Sequence, residues 1–172
     1  KDFVKDGRSI YNSNAHGTVV FSIIGGILSP YLHGSATQAE YALIRTEEDS
    51  ARYYENIIEE YNWVSGAEFA DSLGADIISS SLGYSYFDDP SQNHSYEDMD
   101  GKTTPISVGA SIAASKGILV VTSAGNSAGP PWFKITAPAD ADSILAIGAV
   151  DSAEVITSFS SRGPSFDGRV KP

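Results

Sequence analysis

The chain has no cysteine, so it can form no disulfide, no thiolate metal site and no cysteine nucleophile. It is also short of positive charge: 11 Lys and Arg stand against 22 Asp and Glu, a formal charge of −11. Nucleic-acid binding usually needs the opposite excess to neutralise phosphates, so no nucleic-acid partner is expected. No apolar run reaches the roughly eighteen residues that cross a bilayer, so no membrane span is expected either. The chain opens at Lys1, without methionine and without a basic, apolar and small-residue leader, which predicts an excised piece of a longer protein. Repeats and low-complexity tracts are absent, as are the GxGxxG and GxxxxGK[ST] phosphate cradles. What remains is 172 residues, 41% hydrophobic, enough for one globular domain to bury a core without staples.

Strand-like and helix-like stretches alternate along it. In "NAHGTVVFSIIGG" the apolar Val19, Val20, Ile23 and Ile24 form a helical stripe, expected to be buried, that starts at His16 and stops at Gly25 and Gly26. "EYALIRTE" (40–47) reads as a short buried strand. A helix through "YNWVSGAEFADSL" can be closed by Gly74 in a left-handed C-cap. "ADIISSSLG" (75–83) is the next strand, and 84–101, rich in turn formers and carboxylates, reads as a solvated loop. Thr104 and Pro105 form an N-cap and first helical position for "PISVGASIAASK", ended by Gly117. "ILVVTSAG" (118–125) and "SILAIGAV" (143–150) are further strands. This alternation predicts an α/β fold: a three-layer, doubly wound parallel sheet with helices on both faces.

In such sheets the chemistry gathers beyond the carboxyl ends of the strands, which here selects Ser81-Leu82-Gly83 and Ala124-Gly125-Asn126. Asn126 after a glycine is either a turn residue that tolerates positive φ or an amide donor aimed at an oxyanion. His16 is either a structural residue at a helix start or a base. His33 and His94 sit in loop-like contexts and receive no role. The three histidines have no short-spaced ligand pattern, so no metal cofactor is expected. Calcium in the acidic loop 87–100 is the weaker alternative to plain solvation, because the carboxylates lack the regular spacing of an EF-hand.

Taken in order, "HGTVVFSIIGG", "GADIISSSLGY", "GILVVTSAGNS" and "ILAIGAVDSAEVITSFSSRGPSFDGRVKP" resemble four successive blocks of the subtilisin-like serine proteases, over residues 14–172. The resemblance implies a subtilisin-like fold truncated at both ends and an Asp-His-Ser endopeptidase acting on protein or peptide substrates. His16 matches the general base of the HGT motif, and Asn126 the oxyanion-hole asparagine. Ser81, Leu82 and Gly83 match one wall of the primary specificity pocket and the strand that pairs with substrate; Ser123, Ala124 and Gly125 match the facing wall. Export is common in the family, so a secreted or cell-envelope location is expected.

The same resemblance shows what is missing. Asp2 and Asp6 precede His16, but no apolar strand leads into either, so they read as parts of a polar loop and not as the triad aspartate. None of the serines, Ser79 to Ser81, Ser160 and Ser161 included, has the GTS context of the family nucleophile. The chain is therefore expected to be the central part of a single peptidase domain, catalytic in its parent, inactive alone, and prone to self-association through exposed strand edges. The alternatives are a noncatalytic binding module that keeps the fold and, more remotely, a nucleotide-binding domain. Val19 stands where many members have a second histidine, and 84–101 is longer than in the simplest members, which alters the expected rim of the cleft.

Overall fold

A computed structural model describes residues 1–5, 7–11, 14–48 and 55–172. Two compact units emerge, 1–53 and 54–172.

In the first unit, helix α1 (His16–Gly25) begins where Asn14 Oδ1 accepts the His16 N–H at 2.8 Å, satisfying one of the donors a helix start leaves open. It ends as Gly26 turns extended, and a two-residue antiparallel ribbon follows, β1 (Ile27–Leu28) against β2 (Leu32–His33). The chain then returns along the helix, Ala36 N–H donating to Ile24 O at 2.8 Å, and the Tyr41 ring meets Phe21 edge-on at 4.8 Å. The expected burial of the α1 stripe does not occur: Val19 is 57% and Ile23 64% exposed, because the ribbon and the return segment cover other positions of the helix. "EYALIRTE" also departs from expectation. Among the described residues it makes one parallel bridge, Asp2 to Arg45, and Tyr41 and Ala42 are exposed.

The second unit carries the sheet. Helix α2 (Ile58–Ser72) starts three residues before the periodic stretch because Asn56 and Glu59 cap it reciprocally: Ile58 N–H donates to Asn56 Oδ1 and Asn56 N–H to Glu59 Oε2, both at 3.2 Å. It stops at Gly74, whose φ of +73° is the left-handed turn expected from sequence. Strand β3 (Ile77–Ser80), helix α3 (Pro105–Ser115), strand β4 (Leu119–Ser123) and strand β5 (Leu145–Ile147) follow. Thr104 caps α3 as expected, its Oγ1 accepting from Ser107 N–H at 3.3 Å. The three strands are parallel in the order β3-β4-β5, with Ser80 opposite Thr122 and Thr122 opposite Ala146.

One face of this sheet, with Ile78, Val120 and Ala146, packs with Trp63 and Ala67 of α2 and Ile106, Ala110 and Ala113 of α3 in a single core. The two helices approach closely at Gly109, where an added Cβ would stand 2.7 Å from Val64 Cγ2. The Trp63 indole N–H donates to Ser80 Oγ at 2.9 Å, so the polar end of this large core side chain is satisfied. On the opposite face Ile77, Leu119, Leu145 and Ile147 remain exposed.

The segment 84–101 is not the solvated loop its composition predicts. Tyr84, Phe87 and Met99 are buried in the same core, and two short 3-10 turns, Pro90–Gln92 and Tyr96–Asp98, lie between them. Tyr84 exchanges two backbone hydrogen bonds with Ala137, at 2.8 and 3.0 Å.

Candidate active site

The carboxyl ends of β3, β4 and β5 open on a pocket of about 300 Å³. Ser79 and Ser81 line it from β3, Ser123, Gly125 and Asn126 from β4, and Gly148 from β5. This is where a parallel sheet places its ligands, since each strand ends there and its loop turns away. Of the residues assigned to a substrate cleft, Ser81, Ser123 and Gly125 meet Asn126 in this pocket. Leu82 packs against the core, and Ala124 is fully buried behind the loop.

Gly83 and Gly125 serve a steric purpose. A Cβ on either would run into Thr136 Oγ1, at 2.5 Å in the case of Gly125, whose φ of +103° also lies in the region that favours glycine. The Thr136 hydroxyl is buried and makes no hydrogen bond among the described residues.

The backbone around Asn126 is tied down. Ala124 N–H donates to Ile147 O at 2.9 Å, Thr136 N–H to Ala124 O at 3.2 Å, and Ala128 N–H to Phe159 O at 3.2 Å. Gly125 N–H donates to Ser123 Oγ at 3.0 Å. The Asn126 side chain is exposed and, among the described residues, its amide makes no hydrogen bond. An amide donor held on a fixed loop at a pocket mouth, with nothing yet to donate to, is suited to receive a negative oxygen.

His16 is the first residue of α1 and is exposed. Asp2 corrects the reading of a polar loop. It is only 6% exposed, paired to Arg45 Nη1 at 2.9 Å and accepting the N–H groups of Val4 and Lys5. Burial pushes its carboxyl up, but the Lys5, Arg45 and Val4 donors outweigh burial and hold it below its ordinary value. Asp6 lies outside the described residues.

These features meet the comparisons with known proteins. The family model described as "Subtilase family" matches residues 1–172. The chain belongs to the subtilase family. It is 30% identical to serine protease AprX of Bacillus subtilis over 183 residues, covering 99% of this chain and 39% of AprX. With subtilisin DY of Bacillus licheniformis it shares 32% over 162 residues, 91% of this chain and 52% of that protein. Among solved structures, MycP1 from Mycobacterium smegmatis superposes with a TM-score of 0.68 at 23% identity, over 95% of this chain and 50% of that one. Sphericase gives 0.62 at 27% identity, over 95% and 51%. The chain thus spans about half or less of these relatives, and its fold is subtilisin-like.

This subtilase also holds polar networks that its sequence does not announce. His94 Nε2 lies 2.5 Å from Glu60 Oε1 in the interior, and Glu60 Oε2 accepts the Ile106 N–H at 3.2 Å, so one buried carboxylate joins α2, α3 and the 84–101 segment. No motif links residues that far apart. Of the carboxylates of 87–100 weighed as calcium ligands, four are engaged by neighbouring groups, Asp88 accepting the Glu55 N–H at 2.8 Å. Asp89 accepts from Ser91, Asp98 from Ser95, and Asp100 from Lys102 and Thr103. Asp140, fully buried, accepts from Ser107 Oγ at 2.6 Å and Gly101 N–H at 2.7 Å; burial raises its carboxyl above the ordinary value against those two donors. The "DGRVKP" stretch braces the same region, Arg169 Nη2 donating to Asp100 O and Lys171 Nζ to Ala141 O, both at 2.8 Å.

Proposed function

We propose that this chain supplies the general base and the oxyanion donor of a serine endopeptidase. His16 takes the proton of the nucleophilic serine as its oxygen attacks the scissile carbonyl, then gives that proton to the leaving amine. The Asn126 amide donates to the carbonyl oxygen as it becomes negative. A donor in that place is unused in the resting protein and engaged only in the tetrahedral state, so it lowers the barrier and not merely KM. Ser81, Ser123 and Gly125 flank the bound peptide, where their small side chains leave room for its backbone, while Leu82, Gly83 and Ala124 build the strand ends behind them. No serine of the chain has the context of the family nucleophile, so the serine and the triad aspartate are assigned to the part of the relatives' length that the chain does not span. The chain alone is then inactive, and export of the whole protein follows the habit of the family.

The observation that carries this reading is the unpartnered Asn126 amide on its anchored loop beside the strand-end pocket. Hydrolysis of labelled casein tests it, using the 172-residue chain, the longer parent protein and the parent's His16→Ala variant. Activity in the parent alone, lost on substitution, supports it. An inactive, folded and processed parent would favour a binding module that retains the fold.

A further inference from the structure

Among the described residues Asn126 has no side-chain hydrogen bond to fix it, so the peptide groups on either side set the backbone position from which its amide is presented. Both are held by one residue. Ser161 N–H donates to Gly125 O at 2.9 Å, and Ser161 Oγ accepts the Ser127 N–H at 2.9 Å. Ser161 is fully buried, and its hydroxyl stands 3.0 Å from where a Cβ on Gly125 would be. A serine so enclosed cannot reach a substrate carbonyl, which leaves its hydroxyl without a nucleophilic use. The preceding Ser160, 1% exposed, does the same for the neighbouring strand exit, its Oγ accepting Ala149 N–H at 3.0 Å.

We infer that Ser161 is the positioning residue of the oxyanion hole, clamping the Gly125–Asn126–Ser127 loop so that the Asn126 amide meets the oxyanion at hydrogen-bond distance. The inference rests on the peptidase reading given above. An oxyanion donor is effective only within a few tenths of an ångström of about 2.9 Å, and a misplacement of about 1 Å can cost about a hundredfold in rate. Replacing Ser161 by alanine keeps the backbone bond to Gly125 and removes only the acceptor for Ser127. The loop then loses its clamp on one side, while the pocket walls stay in place.

The experiment is a double-mutant cycle in the full-length protein with a peptide substrate, measuring kcat and KM for wild type, Ser161→Ala, Asn126→Ala and the double variant. Thermal melting of each checks that it is folded. The expected result is a fall of about ten- to a hundredfold in kcat for Ser161→Ala at nearly constant KM, and no further fall when it is added to Asn126→Ala. Equal losses in both backgrounds, or a rise in KM with kcat unchanged, would overturn the inference and leave Ser161 a purely structural residue. If Asn126→Ala keeps full kcat while His16→Ala loses it, the oxyanion role of Asn126 fails and the inference fails with it. A folded, processed wild type with no hydrolysis rejects the peptidase reading and this inference together.

Discussion

Gly83 and Gly125 face the same obstacle, Thr136 Oγ1, but only Gly125 has a positive φ, so alanine at each position separates two costs. At Gly83 the added methyl meets a packed side chain, and overpacking of this kind costs about 1–3 kcal/mol. At Gly125 the same overlap, 2.5 Å from Thr136 Oγ1 and 3.1 Å from its Cγ2, adds to a left-handed backbone penalty of about 1 kcal/mol, for about 2–4 kcal/mol in all. For a chain of this length that is a fall in Tm of about 4–16 °C. Thr136→Ala should itself be mild, because the hydroxyl it removes has no partner among the described residues and the lost methyl is worth about 0.8 kcal/mol. In that background Gly83→Ala should become nearly neutral, while Gly125→Ala keeps the backbone cost of about 1 kcal/mol together with the close approach of its Cβ to Ser161 Oγ at 3.0 Å. Urea denaturation of all six proteins reads these differences directly, as shifts in midpoint at constant slope. Equal losses for each glycine variant with and without Thr136 would refute the steric account.

Other parts of the molecule make equally definite statements. His94→Ala leaves the fully buried Glu60 side chain with the Ile106 N–H alone among the described residues, and losing one partner of a buried polar pair should cost about 1–3 kcal/mol in chemical denaturation. Met99→Ala, at a side chain with no exposure, should cost about 2–5 kcal/mol and raise amide exchange across 84–101, where a solvated loop would show neither change. Asp167, held down to about 2 chiefly by the Arg169 side-chain hydrogen bond and then by Ser165, contributes stability that is full above 3.8 and disappears as pH falls towards 2. Because the pair is partly exposed, the effect is within about 0.2–1 kcal/mol, and Asp167→Asn should lower Tm slightly above pH 3.8 and remove the pH dependence of Tm between 3.8 and about 2. Exposed Ile77, Leu119, Leu145 and Ile147 on one sheet face predict self-association of the isolated chain, which light scattering would contradict by returning a monomer at all concentrations.

Elements whose signals are local were legible in the sequence. Thr104-Pro105 starts α3, Gly74 closes α2, and the β-branched runs of β3 and β4 pair in parallel, because capping, left-handed glycine and strand patterning each act over a few residues. The order of the motifs then carried the family. What the sequence did not disclose depends on distant partners. "EYALIRTE" has the composition of a buried strand but, among the described residues, pairs through one bridge between Asp2 and Arg45. The 84–101 segment has no period, yet Tyr84, Phe87 and Met99 reach the core individually. Among the candidate residues, His16 and Asn126 stand out in their motifs, whereas Ser161 holds the Asn126 loop through two backbone contacts that leave no mark in composition or spacing.

The most direct test of the central claim is kcat for peptide hydrolysis by the full-length protein with Asn126 intact, as Asn126→Ala and as Asn126→Asp. Loss of one oxyanion donor in enzymes of this family lowers kcat by roughly 10²–10³, so the alanine variant should fall by that factor with KM nearly unchanged. The aspartate variant, similar in shape but carrying a like charge and no amide donor, should be no better. A kcat within about threefold of wild type in both variants would contradict the assignment of Asn126 and with it the account of the site.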